Sequence, residues 1–149
     1  MEFKKIPYKK FIEIYHQVPR LTVDVIVETE EGIILTKRSI PPFKGMWHIP
    51  GGSVLFRESI KHTIDRVADE ELGIKVGVVG LAGVIEYPND GTRHSVSIVY
   101  LTHIKSGTPK GSQQGKEIEF FKKIPDNCIP NQKIFLKNFL KKPSVLSQF

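Results

Sequence analysis

A chain of 149 residues with 40% hydrophobic and 26% charged side chains can build one domain around its own core, which excludes a disordered or collagen-like chain. Twenty-two Lys and Arg outnumber sixteen Asp and Glu, and the resulting net charge of +6 favours anionic partners without separating a phosphate-bearing small molecule, nucleic acid or a plain soluble surface. The single Cys128 excludes an intramolecular disulfide and a Cys-based zinc cluster, and no apolar stretch nears the roughly 18 residues that span a bilayer, so the expectation is a cytoplasmic, single-domain protein over 1–149 with no membrane partner.

In chain order, Lys9 to Gln17 sets Phe11, Ile12, Ile14 and Tyr15 at mixed helical spacing, predicting a short helix in an N-terminal extension, 1–19, that Pro19 ends. Leu21 to Thr29, rich in Val and Ile with Asp24 interrupting, and Ile33 to Lys37 read as a hairpin turning at Glu31-Gly32. A loop from Pro41-Pro42 runs through Trp47 to Pro50-Gly51-Gly52, and a helix capped near Ser59 extends to about Leu72 and stops at Gly73. Val76 to Tyr87 and His94 to Ile104 form a second hairpin about the turn Pro88-Asn89-Asp90-Gly91. After a glycine-rich loop, 106–115, come a short strand at Ile118 to Lys122 and a C-terminal helix within 130–142. That helix is expected to bury Ile134, Phe135, Phe139 and Leu140 and to turn Lys133, Lys137 and Lys141 to solvent.

The central helix breaks its own pattern. Ile60, Ile64, Val67 and Ala68 share one face at 100° per residue, and Glu71 falls within that apolar stripe. An ionised acid buried without a partner costs several kcal/mol, so Glu71 must meet a cation, reach a polar opening or be protonated. A hard divalent metal held by carboxylates, carbonyls and water answers that need. Glu70 stands beside it, and Arg66, four residues before Glu70, reads equally as part of a plain ion-pair rung. Gly51-Gly52 permits close approach of the backbone to an ion or phosphate. The five histidines make no metal set: His94 and His103 lie nine apart and point to opposite sides of one strand.

Gly52, Glu58, Arg66, Glu70, Glu71, Gly73 and Ile74 match the Nudix box, G-x5-E-x7-R-E-U-x-E-E-x-G-U, with every spacing kept over 23 positions. The approach Gly45-Met46-Trp47-His48-Ile49-Pro50-Gly51-Gly52 and the basic pair Lys37-Arg38 resemble the same family, and the likeness covers roughly residues 20 to 125. The resemblance implies an α/β fold, the Nudix-type α/β/α sandwich with a mixed β-sheet between helices, and Mg²⁺-dependent hydrolysis of a nucleoside diphosphate linked to another group, with Mn²⁺ as a substitute metal. It implies metal ligands among Gly51, Glu58, Glu70 and Glu71, with Arg66 holding the acids. Two positions depart from the box: Val67 stands where a Glu is usual, and the aliphatic position holds the small Ala68. The missing Glu is absent also from the GDP-mannose mannosyl hydrolase branch, which this chain resembles from Leu21 through Gly52. That branch usually carries Arg where this chain has Ser53, and its late-loop His is met here by nothing nearer than Lys116 or Glu117.

With position 67 apolar, a carboxylate from elsewhere must activate water, and Glu117 or Glu119 after the glycine-rich loop is the expected source. Arg38 reads as a bidentate phosphate ligand or an exposed strand-end cation, and Gly52 as a place where substrate nears the backbone. Trp47 and Tyr87 read as base-stacking or as core aromatics. A sugar nucleotide is the favoured substrate. A general nucleoside-triphosphate or dinucleotide pyrophosphohydrolase and a non-catalytic nucleotide- or RNA-binding module are the rivals, and a homodimer is compatible with all three. Without an Arg at position 53 and a late-loop His, attack at phosphorus is favoured over attack at the sugar carbon.

Overall fold

The computed structural model describes residues 2–89, 91, 93–112, 115 and 117–141. Asp90 of the expected hairpin turn, Lys116 of the late loop and the helix end at 142 lie outside them. The elements run α1 (Tyr8–Tyr15), β1 (Arg20–Thr29), β2 (Gly32–Lys37), β3 (Trp47–His48), β4 (Gly51–Ser53), α2 (Ile60–Leu72), β5 (Lys75–Tyr87), β6 (Ser95–Ser106), β7 (Glu117–Phe121) and α3 (Pro130–Leu140).

The strands form one sheet in the order β3-β2-β1-β6-β5, with β4 added to β1 and β7 to β2. Every pairing is antiparallel except β1 with β6, whose parallel register runs from Arg20 opposite Ser95 to Val27 opposite Thr102. The sheet is therefore mixed, and with three helices it makes the expected α/β/α sandwich.

Strand β1 is buried on both faces, which is why it reads as an almost unbroken apolar run. Val23, Val25 and Val27 pack with Ile64, Val67, Ala68 and Leu72 of α2. Ile26, on the opposite face, joins Leu35, Trp47, Val99, Leu101 and Leu136 of α3. Helix α2 is cut to length at both ends: the Ser59 hydroxyl accepts from the His62 N–H at 3.1 Å, and Gly73 takes the left-handed conformation (φ +65°) that ends it.

The C-terminal helix departs from expectation. Ile134 is 65% exposed, and the buried residues are Gln132 and Leu136. Ile134 sits two positions from Leu136, about 200° around the axis, so it cannot share that stripe, whereas Phe135, Phe139 and Leu140 flank Leu136 and pack on the core. Lys133 is also half-buried and pairs with Asp126 at 3.6 Å. No helix among the described residues is long and apolar enough to cross a membrane.

Candidate active site

The loop Pro50-Gly51-Gly52 is held by strand β1 and helix α3. The Pro50 carbonyl accepts from the Val25 N–H at 2.8 Å, and the Ile49 N–H donates to Gln132 Oε1 of α3 at 2.6 Å. Gly51 lies opposite Asp24 on β1, where the Asp24 carboxyl fills the space a Cβ on Gly51 would need. Asp24 is buried, and burial pushes its pKa up to about 6 against the opposing pull of Ser97, the Tyr87 hydroxyl, which donates to Asp24 Oδ2 at 3.4 Å, and Arg20.

That shift has a sign. A carboxyl whose folded pKa lies above its ordinary 3.8 favours the folded state when protonated, so its contribution is complete below about pH 4 and is lost as pH rises through about 6, a change of about 3 kcal/mol. Asp24→Asn should remove this decline and gain stability on the wild type between pH 4 and 7, read by urea denaturation in chelator-containing buffer. Parallel pH profiles for the two proteins would show that Asp24 is not the source.

At the start of α2, Glu58 is enclosed by donors. Its Oε1 accepts from the Leu55 N–H at 3.1 Å, the Thr63 hydroxyl at 2.8 Å and Arg66 Nη2 at 3.0 Å, and its Oε2 accepts from Arg66 Nε at 2.8 Å and His62 Nδ1 at 2.6 Å. Burial would raise its pKa, but Arg66 and the other donors outweigh it and bring it down to about 2. Arg66 also donates to the Ser53 carbonyl at 2.7 Å and to Glu70 Oε2 at 3.2 Å, so one guanidinium joins the glycine loop, Glu58 and Glu70. Glu70 meets a second cation, Lys5 Nζ, at 3.1 Å.

Glu71 is half-buried, as its place on the apolar stripe required. Burial raises its pKa, as does Glu70, while the Ser112 hydroxyl, donating to Oε2 at 3.4 Å, and the charges of Arg38 and Lys5 lower it. The loop bearing Ser112 is fixed to the end of α2 by the Lys110 N–H, which donates to the Leu72 carbonyl at 2.9 Å. Val67 is 1% exposed among the core residues, and its Cγ2 would lie 3.3 Å from a Cβ on Gly52.

Other expected site residues lie elsewhere. Glu117 and Glu119 stand opposite Lys37 and Leu35 in the β2–β7 register, and Leu35 belongs to the α3-side core, whereas Ile118 between them packs toward α2. Strand alternation therefore puts both acids on the sheet face away from Glu70 and Glu71, and Glu117 Oε2 lies 4.0 Å from Lys37 Nζ. Trp47 is a core residue, 7% exposed, edge-on to Phe121 at 5.0 Å. Tyr87 is turned inward to Asp24, so neither ring offers a stacking face. Arg38 donates to the Pro42 carbonyl at 2.6 Å and acts on Glu71 through its charge. Lys5, Ser112 and Gln132 carry no signal in the sequence, whereas Asp24, an acid in a valine-rich strand, does.

The NUDIX domain family matches residues 18–139, and the chain belongs to that family as a Nudix hydrolase. It is 34% identical over 141 residues to the ADP-ribose pyrophosphatase of Methanocaldococcus jannaschii, a match covering 93% of this chain and 82% of that protein. Over 83 residues it is 36% identical to the low-salt glycan biosynthesis protein Agl8 of Haloferax volcanii, covering 56% of this chain and 53% of that one. The crystal structure of a MutT NUDIX hydrolase from Burkholderia pseudomallei superposes with a TM-score of 0.74 at 28% identity, over 81% of this chain and 98% of the other. The relative matched along nearly the whole chain is thus an ADP-ribose pyrophosphatase, which corrects the expected affinity with the GDP-mannose mannosyl hydrolase branch.

Proposed function

We propose that this Nudix hydrolase is a pyrophosphohydrolase of nucleoside diphosphates linked to a second group, with ADP-ribose and similar sugar nucleotides as its substrate class and phosphorus as the atom attacked. The observation that carries the reading is the adjacent pair Glu70 and Glu71 at the end of α2, with Glu70 tied through Arg66 to the carbonyl of Ser53 beside Gly51-Gly52. The extended likeness to an ADP-ribose pyrophosphatase supports the substrate class. The family match over 18–139 supports reading 1–149 as one domain with an N-terminal extension.

Two adjacent carboxylates and the Gly51 carbonyl suit a hard cation that keeps some of its waters, Mg²⁺ or, in its place, Mn²⁺. When bound, that ion would neutralise charge on the diphosphate oxygens. Glu58 is not among the ligands we assign, since its oxygens already accept five hydrogen bonds; it anchors Arg66. Arg66 orients Glu70, and Arg38 adds positive charge near Glu71. A carboxylate has two oxygens, so Glu71 can ligate through one and take a proton from water through the other.

Turnover of ADP-ribose, other sugar nucleotides, dinucleotides and nucleoside triphosphates with Mg²⁺ and Mn²⁺ in ¹⁸O-labelled water tests the reading. The expected products of ADP-ribose are AMP and ribose 5-phosphate, with label in a phosphate group. Label on the anomeric oxygen with unlabelled nucleoside diphosphate would show that the wrong bond was chosen. Binding without turnover across the whole panel would favour the binding-module reading that Val67 motivates.

A further inference from the structure

Strand β5 is an edge of the sheet. Among the described residues it pairs with β6 alone, so its other side offers a row of backbone donors and acceptors along Lys75–Tyr87. Edges that face solvent are ordinarily blunted by Lys or Pro within the strand. Here ten successive residues, Val76 to Ile85, carry neither charge nor proline. The exposed ones among them are all apolar: Val78 at 38%, Leu81 at 65% and Val84 at 55%.

A strand without bulges would turn residues three apart to opposite faces. Extra residues at Val79 and Ala82 shift the register against β6 twice, so Val78, Leu81 and Val84 stand opposite Thr102, Tyr100 and Ile98, all on the face that carries α2. Bulges can blunt an edge, but these two gather its apolar side chains into one row.

The row is complementary to itself. An antiparallel second copy, related by a two-fold axis through Gly80 and normal to the sheet, sets Leu81 against Val78, Gly83 against Gly77 and Val84 against Val76, each residue being counted by the β6 position it faces. A Cβ on Gly80 would meet nothing within 4 Å, so the two backbones have room at the axis. The same register brings Lys75, where each strand starts, opposite Glu86 near the end of the other. Moving the axis to Leu81 would set Glu86 against Val76 and lose both ion pairs. The ladder stops there, since Asn131 of α3 already holds the Glu86 carbonyl at 2.7 Å.

We propose that a second copy of this chain covers the β5 edge, the two strands pairing antiparallel about Gly80 with ion pairs between Lys75 and Glu86 at both ends. A contact that closes on one two-fold axis makes a dimer and not a filament. The proposal is independent of the hydrolase reading above.

Sedimentation equilibrium of the full chain should show a dimer. Leu81→Lys, at an exposed position, should raise the dissociation constant by about tenfold or more, with an unchanged circular dichroism spectrum. Lys75→Glu and Glu86→Lys should each raise it by about fivefold or more, because like charges then meet at both ends. The double variant Lys75→Glu/Glu86→Lys should return it to within about twofold of the wild type. A monomer at every concentration would leave the edge to another protein's strand and overturn the proposal. A dimer indifferent to Leu81→Lys would place the interface elsewhere, and a double variant no tighter than the single ones would remove the register; either result overturns it as well.

Discussion

Arg66→Met should destabilise the fold by about 3–5 kcal/mol, the usual cost of stripping one partner from a buried ion pair. The Glu58 side chain is fully enclosed, and Arg66 supplies two of the five hydrogen bonds it accepts. Losing the guanidinium strands a carboxylate in a dry site and also frees the Ser53 carbonyl. The pH dependence carries the same signature. Glu58 has a folded pKa of about 2 against an ordinary 4.5, so its stabilising contribution is present above about pH 4.5 and is lost as pH falls through about 2. In Arg66→Met that acid loss should shrink, because the variant has already forfeited most of the contribution. Denaturant unfolding at pH 7 and pH 3 measures both effects, and a variant within about 1 kcal/mol of the wild type at pH 7 would mean that the guanidinium is no keystone.

Glu71→Gln should lower kcat/KM by about 10²–10³ with the fold intact. The amide keeps the size of the side chain and the Ser112 contact but cannot take a proton, and it is a poorer ligand for a hard cation. Stability should hold or rise, because the folded environment already disfavours the charge on Glu71. Comparing melting curves with kcat/KM separates the outcomes: wild-type turnover in a folded Glu71→Gln protein would remove Glu71 from the chemistry.

Much of this was legible in the residues. Helix α2 carried its own boundaries, Ser59 and Gly73, and its own anomaly, Glu71 on an apolar face; both are local signals that need no knowledge of the partner surface. Sequence and structure part where a partner surface decides. Glu117 and Glu119 follow the loop that leads to the site, but only the register with β2 fixes which face a strand residue occupies. Ile134 has the hydrophobicity of a core residue, but Leu136 defines the buried stripe on the other side of the helix. The box spacing sets Arg66 eight residues after Glu58, but the arrival of Lys5 depends on a contact 65 residues apart in sequence, which no local pattern encodes.

Helix α3 carries none of the chemistry assigned here, yet Gln132 reaches through the core to hold the amide just ahead of Pro50-Gly51-Gly52. Asn131 beside it fastens the same end of the helix to the Glu86 carbonyl of β5 at 2.7 Å. The motif that marks the family is thus a cantilever whose counterweight lies about 80 residues further along the chain. A fragment that ended before Pro130 would keep every residue of the box and lose the support beneath it. Substitutions on the buried side of α3 therefore belong in any account of how active this enzyme is, however remote from the substrate they look in sequence.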